Sequence, residues 1–348
     1  MEWRFATNSF AFRFCLSAMT IMLCLTVTAQ PVYEFAAIPA SARVGALGGS
    51  PLAIAESDLG VAATNPSFLP YIEDQRAAAD YVNYIADISI GHASYCFQDS
   101  RVPGTMAVGI QYMNGGKNTR YDIFGNEAGS FSANEYAFHL SYGRRFDSCL
   151  SIGATLKPVL SFVGGYSSIG LMADISASYT FNDGRTAASA MLRNAGSQLT
   201  AYDEHYGRVP FEALVAISHQ LEHAPFRFSL VLQKLQKPRL NADSKNSVEP
   251  GSEVERDDVT LPSFADNILR HCIFGIEAFP SKQVNLRVGF NYQRRQELKL
   301  KDAPGMAGMS LGFGLRLKRF NVEYAHARYT LAGSSNHFSV VVNIANLK

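Results

Sequence analysis

Long apolar runs are nearly missing from this chain. The one clear run, from Phe14 to Val27, follows Arg4 and Arg13, and small residues at Val27 and Ala29 resemble a signal-peptidase site. We therefore predict that residues 1–29 are a secretory signal peptide. No later run approaches the roughly 20 apolar residues that a membrane-spanning helix needs.

A surplus of charge is missing as well. Residues 1–29 hold two of the 31 basic and one of the 30 acidic side chains, which leaves 29 of each in the mature chain. Nucleic acid is bound through excess Lys and Arg. A nucleic-acid partner is therefore not expected.

Few cysteines remain after residue 29. Cys96, Cys149 and Cys272 are odd in number and far apart, which argues against a disulfide framework and a Cys-x-x-Cys metal site. His219 and His223 match the letters of a zinc-protease motif, but a strand and tight turn would hold them too far apart. We predict no catalytic residues, no metal and no cofactor, and thus no enzyme.

What the chain does have is apolar alternation with a period of two. Between Thr105 and Tyr112, apolar residues such as Val108 and Ile110 alternate with small or polar ones such as Gln111. The non-apolar face is mostly Gly, Ser, Ala and Asn, which suits a barrel lumen better than open solvent. A soluble secreted β-protein is the other interpretation of this alternation.

Turn residues divide the alternating regions into strands of an all-β, antiparallel transmembrane barrel. The predicted strands, about 14 in number, are 76–84, 88–98, 104–113, 134–145, 149–160, 168–181, 186–193, 210–221, 225–236, 269–279, 283–294, 307–318, 320–330 and 336–346.

Connections of two lengths follow these strands in alternation. After even-numbered strands they are short turns, whereas the predicted loops 114–133, 194–209, 237–268 and 295–306 follow odd-numbered strands. Short periplasmic turns and long external loops are typical of outer-membrane barrels. We expect an outer-membrane barrel over 76–348, a long external loop at 237–268 and both termini in the periplasm.

Residues 30–75 neither alternate nor form a plain loop, and we predict an N-terminal plug segment inside the lumen. Its motif residues are Arg43, Gly48, Gly49, Asn65 and Pro66. The glycines allow backbone conformations closed to other residues, and proline fixes a turn.

The same segment carries a family resemblance. The stretch from Tyr33 to Arg43, the glycine pair, and Asn65-Pro66 resemble the opening of FadL-like barrels. Together with the stretch from Tyr81 to Ile88, they are more closely similar to the PorQ family of the type IX secretion system. The carboxyl end departs from many barrels because it ends on Lys348 rather than on an aromatic residue.

The resemblance implies a non-enzymatic component of the type IX secretion system that anchors a surface partner of the cargo-attachment complex. Expected partners are a PorZ-like surface protein, a sortase-like component, a PorV-like shuttle and the lipid bilayer. The alternative is a FadL-like transporter of hydrophobic small molecules, for which a kinked strand and an apolar pocket would be clues. The predicted inward faces are mostly small and polar, which disfavours the transporter.

Overall fold

The computed structural model describes residues 30–72, 75–86, 88–181, 183–240, 263–298, 305–329 and 333–344. The predicted signal peptide at 1–29 and most of the predicted loop 237–268 lie outside these residues. The division of the chain into signal, plug and barrel therefore stays a prediction. No helix among the described residues is long and apolar enough to cross a membrane.

Fourteen strands form a closed antiparallel barrel in which each strand pairs with its sequence neighbours and β1 pairs with β14. The predicted fold class is confirmed. The strands are β1 Arg76–Asn83, β2 Ser89–Asp99, β3 Val102–Tyr121, β4 Glu127–Arg145, β5 Leu150–Val163, β6 Tyr166–Thr180, β7 Thr186–Thr200, β8 Glu212–Gln220, β9 Phe226–Leu232, β10 Cys272–Ala278, β11 Val284–Asn291, β12 Met309–Arg316, β13 Phe320–Arg328 and β14 Ser334–Asn343.

Among the described residues, four short helices accompany the barrel. They are α1 Ala42–Ala46, α2 Leu59–Ala62, α3 Phe264–His271 and α4 Tyr292–Leu298, and 3₁₀ turns span Glu34–Ala37 and Pro66–Tyr71. Helix α2 begins after Asp58, whose Oδ1 accepts a hydrogen bond of 2.9 Å from the backbone N–H of Gly60. This acceptor satisfies a helix N–H that has no partner within the helix.

Most outward residues of the strands are apolar, and the polar residues of the strands point mainly inward. On β6, Ile175 is 59% exposed while its neighbours Asp174 and Ser176 are 2% and 1% exposed. Exposed apolar side chains around a wall with a polar interior are the pattern of a barrel that spans a bilayer. On β3, alternation predicts that apolar residues point outward and polar ones inward. The structure confirms this, because Ile110 is exposed and Gln111 is buried.

The structure corrects several predicted boundaries. Most of the predicted loop 114–133 is strand, since β3 runs to Tyr121 and β4 begins at Glu127, and β7 extends to Thr200 into the predicted loop 194–209. These extensions are rich in Gly, Ser, Asn and Thr and carry no apolar alternation, so their sequence resembles a loop. In the other direction, the predicted strand 283–294 ends at Asn291, where α4 follows, and the predicted strand 269–279 begins only after α3.

Candidate functional site in the barrel lumen

Residues 30–72 lie inside the barrel and fill much of its lumen. We call them the N-terminal segment. Three of its large apolar side chains, Leu47, Leu59 and Phe68, are at most 1% exposed. Helix α1 contacts β11 to β14, and the 3₁₀ turn at Pro66–Tyr71 contacts β3 to β6, so the segment reaches opposite walls.

The structure places the predicted motif residues at close approaches between segment and wall. Gly48 and Gly49 have φ angles of 102° and 86°, a region that disfavours other residues. Pro66 lies so near β5 that a Cβ built on Gly153 would come within 2.2 Å of the carbonyl carbon of Pro66. Asn65 Nδ2 donates to Ser189 Oγ of β7 at 3.2 Å. All these motif residues contribute to packing, and they do not form one common site.

Arg43, the remaining motif residue, is the centre of a buried ionic cluster. Its guanidinium donates in bidentate fashion to Glu277 of β10 through Nε and Nη2, both at 2.9 Å. The same group reaches Asp58 at 2.6 Å and Glu56 at 3.1 Å. Arg43 is fully buried, so its charge no longer interacts with water. The ion pairs with these carboxylates offset the free energy that this desolvation costs.

The wall extends this cluster across neighbouring strands. Glu277 stands opposite Arg227 of β9 and Arg287 of β11 in the sheet register, and it pairs with them at 3.0 Å and 3.1 Å. Arg287 also binds Glu323 of β13 at 2.8 Å. We call the set the Arg43 cluster: Arg43, Glu56, Asp58, Arg227, Glu277, Arg287 and Glu323.

Glu56 keeps its negative charge within the Arg43 cluster. Burial raises the pKa of Glu56, but attraction to Arg43 and Arg227 outweighs burial, and the net pKa lies well below its usual range. Glu56 therefore remains ionised at neutral pH and holds Arg227 at 2.5 Å. Among the described residues, ion pairs between the N-terminal segment and the wall involve β9, β10 and β12 only.

Neutral hydrogen bonds dominate on the opposite wall. Ser67 donates its backbone N–H to Ser176 Oγ of β6 at 3.0 Å, and Gln111 Nε2 of β3 donates to the carbonyl of Phe35 at 3.0 Å. The Tyr33 hydroxyl bonds to Ser168 of β6. Of these wall residues, Gln111 is the one that the sequence analysis placed on the inward polar face.

A small pocket lies between the N-terminal segment, which lines it mainly with apolar residues, and the inward polar side chains of β1 to β7. The cavity has a volume of about 40 Å³, which is room for roughly three water molecules. Its lining includes Ser41, His92, His139, Lys157 and Asp174. The Ser41 hydroxyl and His139 Nε2 are buried without a hydrogen-bond partner among the described residues, which indicates a hydrated pocket.

The wall next to this pocket is irregular. Pairing between β4 and β5 runs to Ala137 opposite Val159 and resumes at Leu140 opposite Leu156, so the ladder skips Pro158. Proline has no N–H to donate to a ladder. Across the pocket, the register of β6 and β7 shifts at Asn194, which has a φ angle of 52°.

Other residues considered in the sequence do not gather into a site. His219 bonds to the Thr186 hydroxyl at 2.8 Å, and Glu222 of the same motif pairs with Arg185. Among the described residues, no group of three His, Cys, Asp or Glu side chains is placed to hold a metal ion. Sequence reasoning missed Arg227, Glu277 and Glu323, although each is a charged residue at an inward position of an alternating strand.

Comparison with known proteins identifies the fold. No protein-family profile matches the chain, and no curated protein matches it in sequence. The Pseudomonas putida toluene transporter TodX matches with a TM-score of 0.53 and 11% identity over 87% of this chain and 96% of that one. The monoaromatic hydrocarbon channel CymD matches with a TM-score of 0.50 and 10% identity over 88% and 97%.

A third structure, a Pseudomonas aeruginosa FadL homologue, matches with a TM-score of 0.47 and 10% identity over 91% of this chain and 99% of that one. At identities this low, the likeness to TodX and CymD shows the fold alone. The chain has the fold of an outer-membrane β-barrel of the kind that those two channels form.

Proposed function

We propose that this chain is a non-enzymatic outer-membrane barrel that docks another protein at the end where the long connections lie. The observation that carries the proposal is a filled lumen beneath a projecting hairpin. The N-terminal segment is bonded to opposite walls, and the pocket beside it, which charged as well as apolar residues line, has room for only a few water molecules. Ligand sites for hydrophobic molecules are instead larger and mostly apolar.

The projecting feature is the hairpin of β3 and β4. Tyr112 and Tyr136 stack at 4.8 Å where these strands leave the apolar belt, and β3 continues for nine residues to Tyr121. At roughly 3.3 Å per residue, the hairpin extends about 30 Å beyond that aromatic pair. At its tip, Ile123 is 93% exposed and Phe124 is 82% exposed. Exposed large apolar side chains on a projecting element favour a protein partner.

The finer assignment is an anchor in the type IX secretion system that holds a surface partner of the cargo-attachment complex. Its support is the resemblance of the segment between Tyr33 and Arg43 to the PorQ family, together with the projecting hairpin. Neither support comes from the solved relatives.

Deletion of the gene tests the anchor in cells. Type IX cargo and its surface partner should move from the cell surface into the medium, while uptake of fatty acids and aromatic hydrocarbons stays unchanged. The double substitution Ile123→Asp and Phe124→Asp should reproduce the release with normal barrel levels. Tyr206→Asp, which changes an exposed residue at the same end but on another connection, is the matched control. Normal cargo retention in the deletion strain would exclude the anchor.

Passage of small hydrophobic molecules is a second candidate, and the solved relatives support it rather than the anchor. TodX and CymD are a toluene transporter and a monoaromatic hydrocarbon channel. The skipped ladder at Pro158 beside the pocket also favours it, since it is the irregular wall that a lateral exit would use. Purified barrel in liposomes should then admit toluene, and Pro158→Ala should slow its entry. Liposomes that take up toluene no faster with the barrel than without it would exclude this candidate.

A further inference from the structure

Helix α3 presents an apolar face that the barrel does not cover. Phe264 is 83% exposed, Ile268 is 46% exposed and Leu269 is 39% exposed. Phe264 and Ile268 are four residues apart and therefore lie on one side of the helix. A helix on a water-facing loop would normally turn such residues toward the protein.

The polar side chains of α3 are the ones that face the protein. Asp266 accepts hydrogen bonds from the Tyr292 hydroxyl at 2.7 Å and from Arg270 Nε at 2.8 Å. Asn267 Nδ2 donates to the carbonyl of Pro238 at 2.7 Å. The buried Gln233 amide reaches the carbonyl of Arg270 at 3.4 Å. The polar face is thus fixed against the barrel end, and the apolar face points away from it.

That apolar face continues the outward face of the barrel. Helix α3 passes directly into β10 without an intervening loop. At its start, β10 pairs Cys272 with Leu232 of β9, and the next outward residue, Phe274, stands opposite Leu230 and Phe290. The Cys272 thiol donates to the carbonyl of Ile268 at 3.4 Å. Ile268 therefore lies one helical turn beyond the bilayer-facing surface of β9 and β10.

The strands below the helix are too short to cross a bilayer by themselves. β9 and β10 have seven residues each. At about 3.3 Å per residue and a tilt of roughly 40°, each covers about 18 Å of an apolar band that is about 25 Å tall. The width of one helix, about 10 Å, is enough to supply the missing height.

We propose that α3 is an interfacial helix whose Phe264, Ile268 and Leu269 insert into the lipid leaflet at the long-loop end of the barrel. The leaflet is chosen as occupant because the helix face is continuous with the surface that already faces lipid. Interfacial helices lie in the membrane plane with their apolar side in the headgroup and acyl boundary. The helix completes the apolar belt where the barrel wall is lowest.

Tryptophan fluorescence tests the insertion directly, because Trp3 is the single tryptophan of the chain. In a Trp3→Phe background, Phe264→Trp or Ile268→Trp is introduced and the full barrel is reconstituted into phospholipid vesicles. Phe274→Trp on the outward face of β10 is the lipid-facing reference, and Phe124→Trp at the hairpin tip is the water-facing reference. Emission wavelength and quenching by bromine-substituted phospholipids are measured for all four proteins.

Insertion predicts that Phe264→Trp and Ile268→Trp emit at shorter wavelength than Phe124→Trp and are quenched by brominated lipid to an extent near that of Phe274→Trp. Water-like emission without quenching would overturn the proposal. Blue-shifted emission without quenching would overturn it too, because the face would then be covered by protein, either another part of this chain or a second copy. The substitutions exchange apolar residues at exposed positions, and heat-resistant migration in detergent verifies that each barrel has folded.

Discussion

The barrel has a tall side and a short side. Strands β3 to β7 contain 14 to 20 residues, whereas β8 to β14 contain 7 to 10. A tilted strand needs about 9 to 11 residues to span a bilayer. The tall side therefore has length to spare, whereas four strands of the short side, β9 to β12, have only seven or eight residues and fall short. The extra length of β3 and β4 projects beyond the belt, while β9 and β10 rely on a helix to complete it.

Both sides hold the N-terminal segment by neutral hydrogen bonds, but among the described residues only the short side adds ion pairs to them. On the short side, Arg43 and Glu56 form ion pairs with Glu277 and Arg227. On the tall side, Ser176 and Gln111 make neutral hydrogen bonds to the segment backbone. Removal of one partner of a buried ion pair costs more than removal of one neutral hydrogen bond. Substitutions that break the ion pairs should therefore destabilise the barrel more than substitutions that remove one neutral hydrogen bond.

Arg43→Met should have the largest effect. It leaves Glu277, Glu56 and Asp58 with less positive charge to face, and breaking a buried ion pair costs about 3–5 kcal/mol. The unfolding midpoint in detergent should fall, and the segment should become cleavable by added protease. Arg120→Met is the matched control because Arg120 lies on the exposed hairpin and bonds only to the carbonyl of Gly164. Equal midpoints for the two variants would show that charge does not hold the segment.

Ile175→Arg should follow. Ile175 is the outward residue near the middle of β6 and is 59% exposed, and an arginine at the bilayer midplane costs about 2–4 kcal/mol. Its level in the outer-membrane fraction should drop. Ile123→Arg, at the hairpin tip beyond the belt, should leave that level unchanged. Equal losses from both variants would contradict the boundary drawn at Tyr112 and Tyr136.

Ser176→Ala should have a smaller effect than either. The substitution removes the acceptor of the Ser67 N–H, and a buried donor left without a partner costs about 1–3 kcal/mol. The unfolding midpoint should decrease by less than with Arg43→Met. Ser130→Ala on the exposed part of β4 serves as the control. A larger decrease of the unfolding midpoint with Ser176→Ala than with Arg43→Met would show that the ion pairs of the short side are not the stronger attachment of the segment.

Sequence reasoning succeeded where the bilayer imposes a pattern. An apolar outward face is required on every strand, so alternation alone predicts fourteen strands and the facing of Ile110 and Gln111. It failed where no such requirement exists. The upper parts of β3 and β4 have no lipid face, and their Gly, Asn and Ser residues resemble a loop. Likewise, Phe290 and Tyr292 continue the alternation of β11 although the strand ends at Asn291 and α4 begins.

The Arg43 cluster was only partly predictable. Arg43 was selected from its motif, and Arg287 lies at an inward position of an alternating strand. Their common partner Glu277 could not be found in this way, because the register between β9, β10 and β11 decides that Arg227, Glu277 and Arg287 form one row. Register depends on turn geometry and on packing against the segment, and a single sequence does not specify these.

The smallest effect on stability should come from shortening the tall side itself. Pairing of β3 with β2 ends at Asn114, and pairing of β4 with β5 ends at Ala133, so among the described residues Lys117–Tyr121 pairs only with β4. A two-stranded hairpin without further partners is marginally stable and adds little to the barrel below it. Replacing residues 117–131 by an Asn-Gly turn should therefore change the free energy of unfolding by no more than about 0.5 kcal/mol. Thermal unfolding in detergent measures this, and a large loss would mean that the hairpin supports the wall. If the barrel is as stable as before but no longer retains cargo at the cell surface, the added height of the tall side serves binding rather than folding.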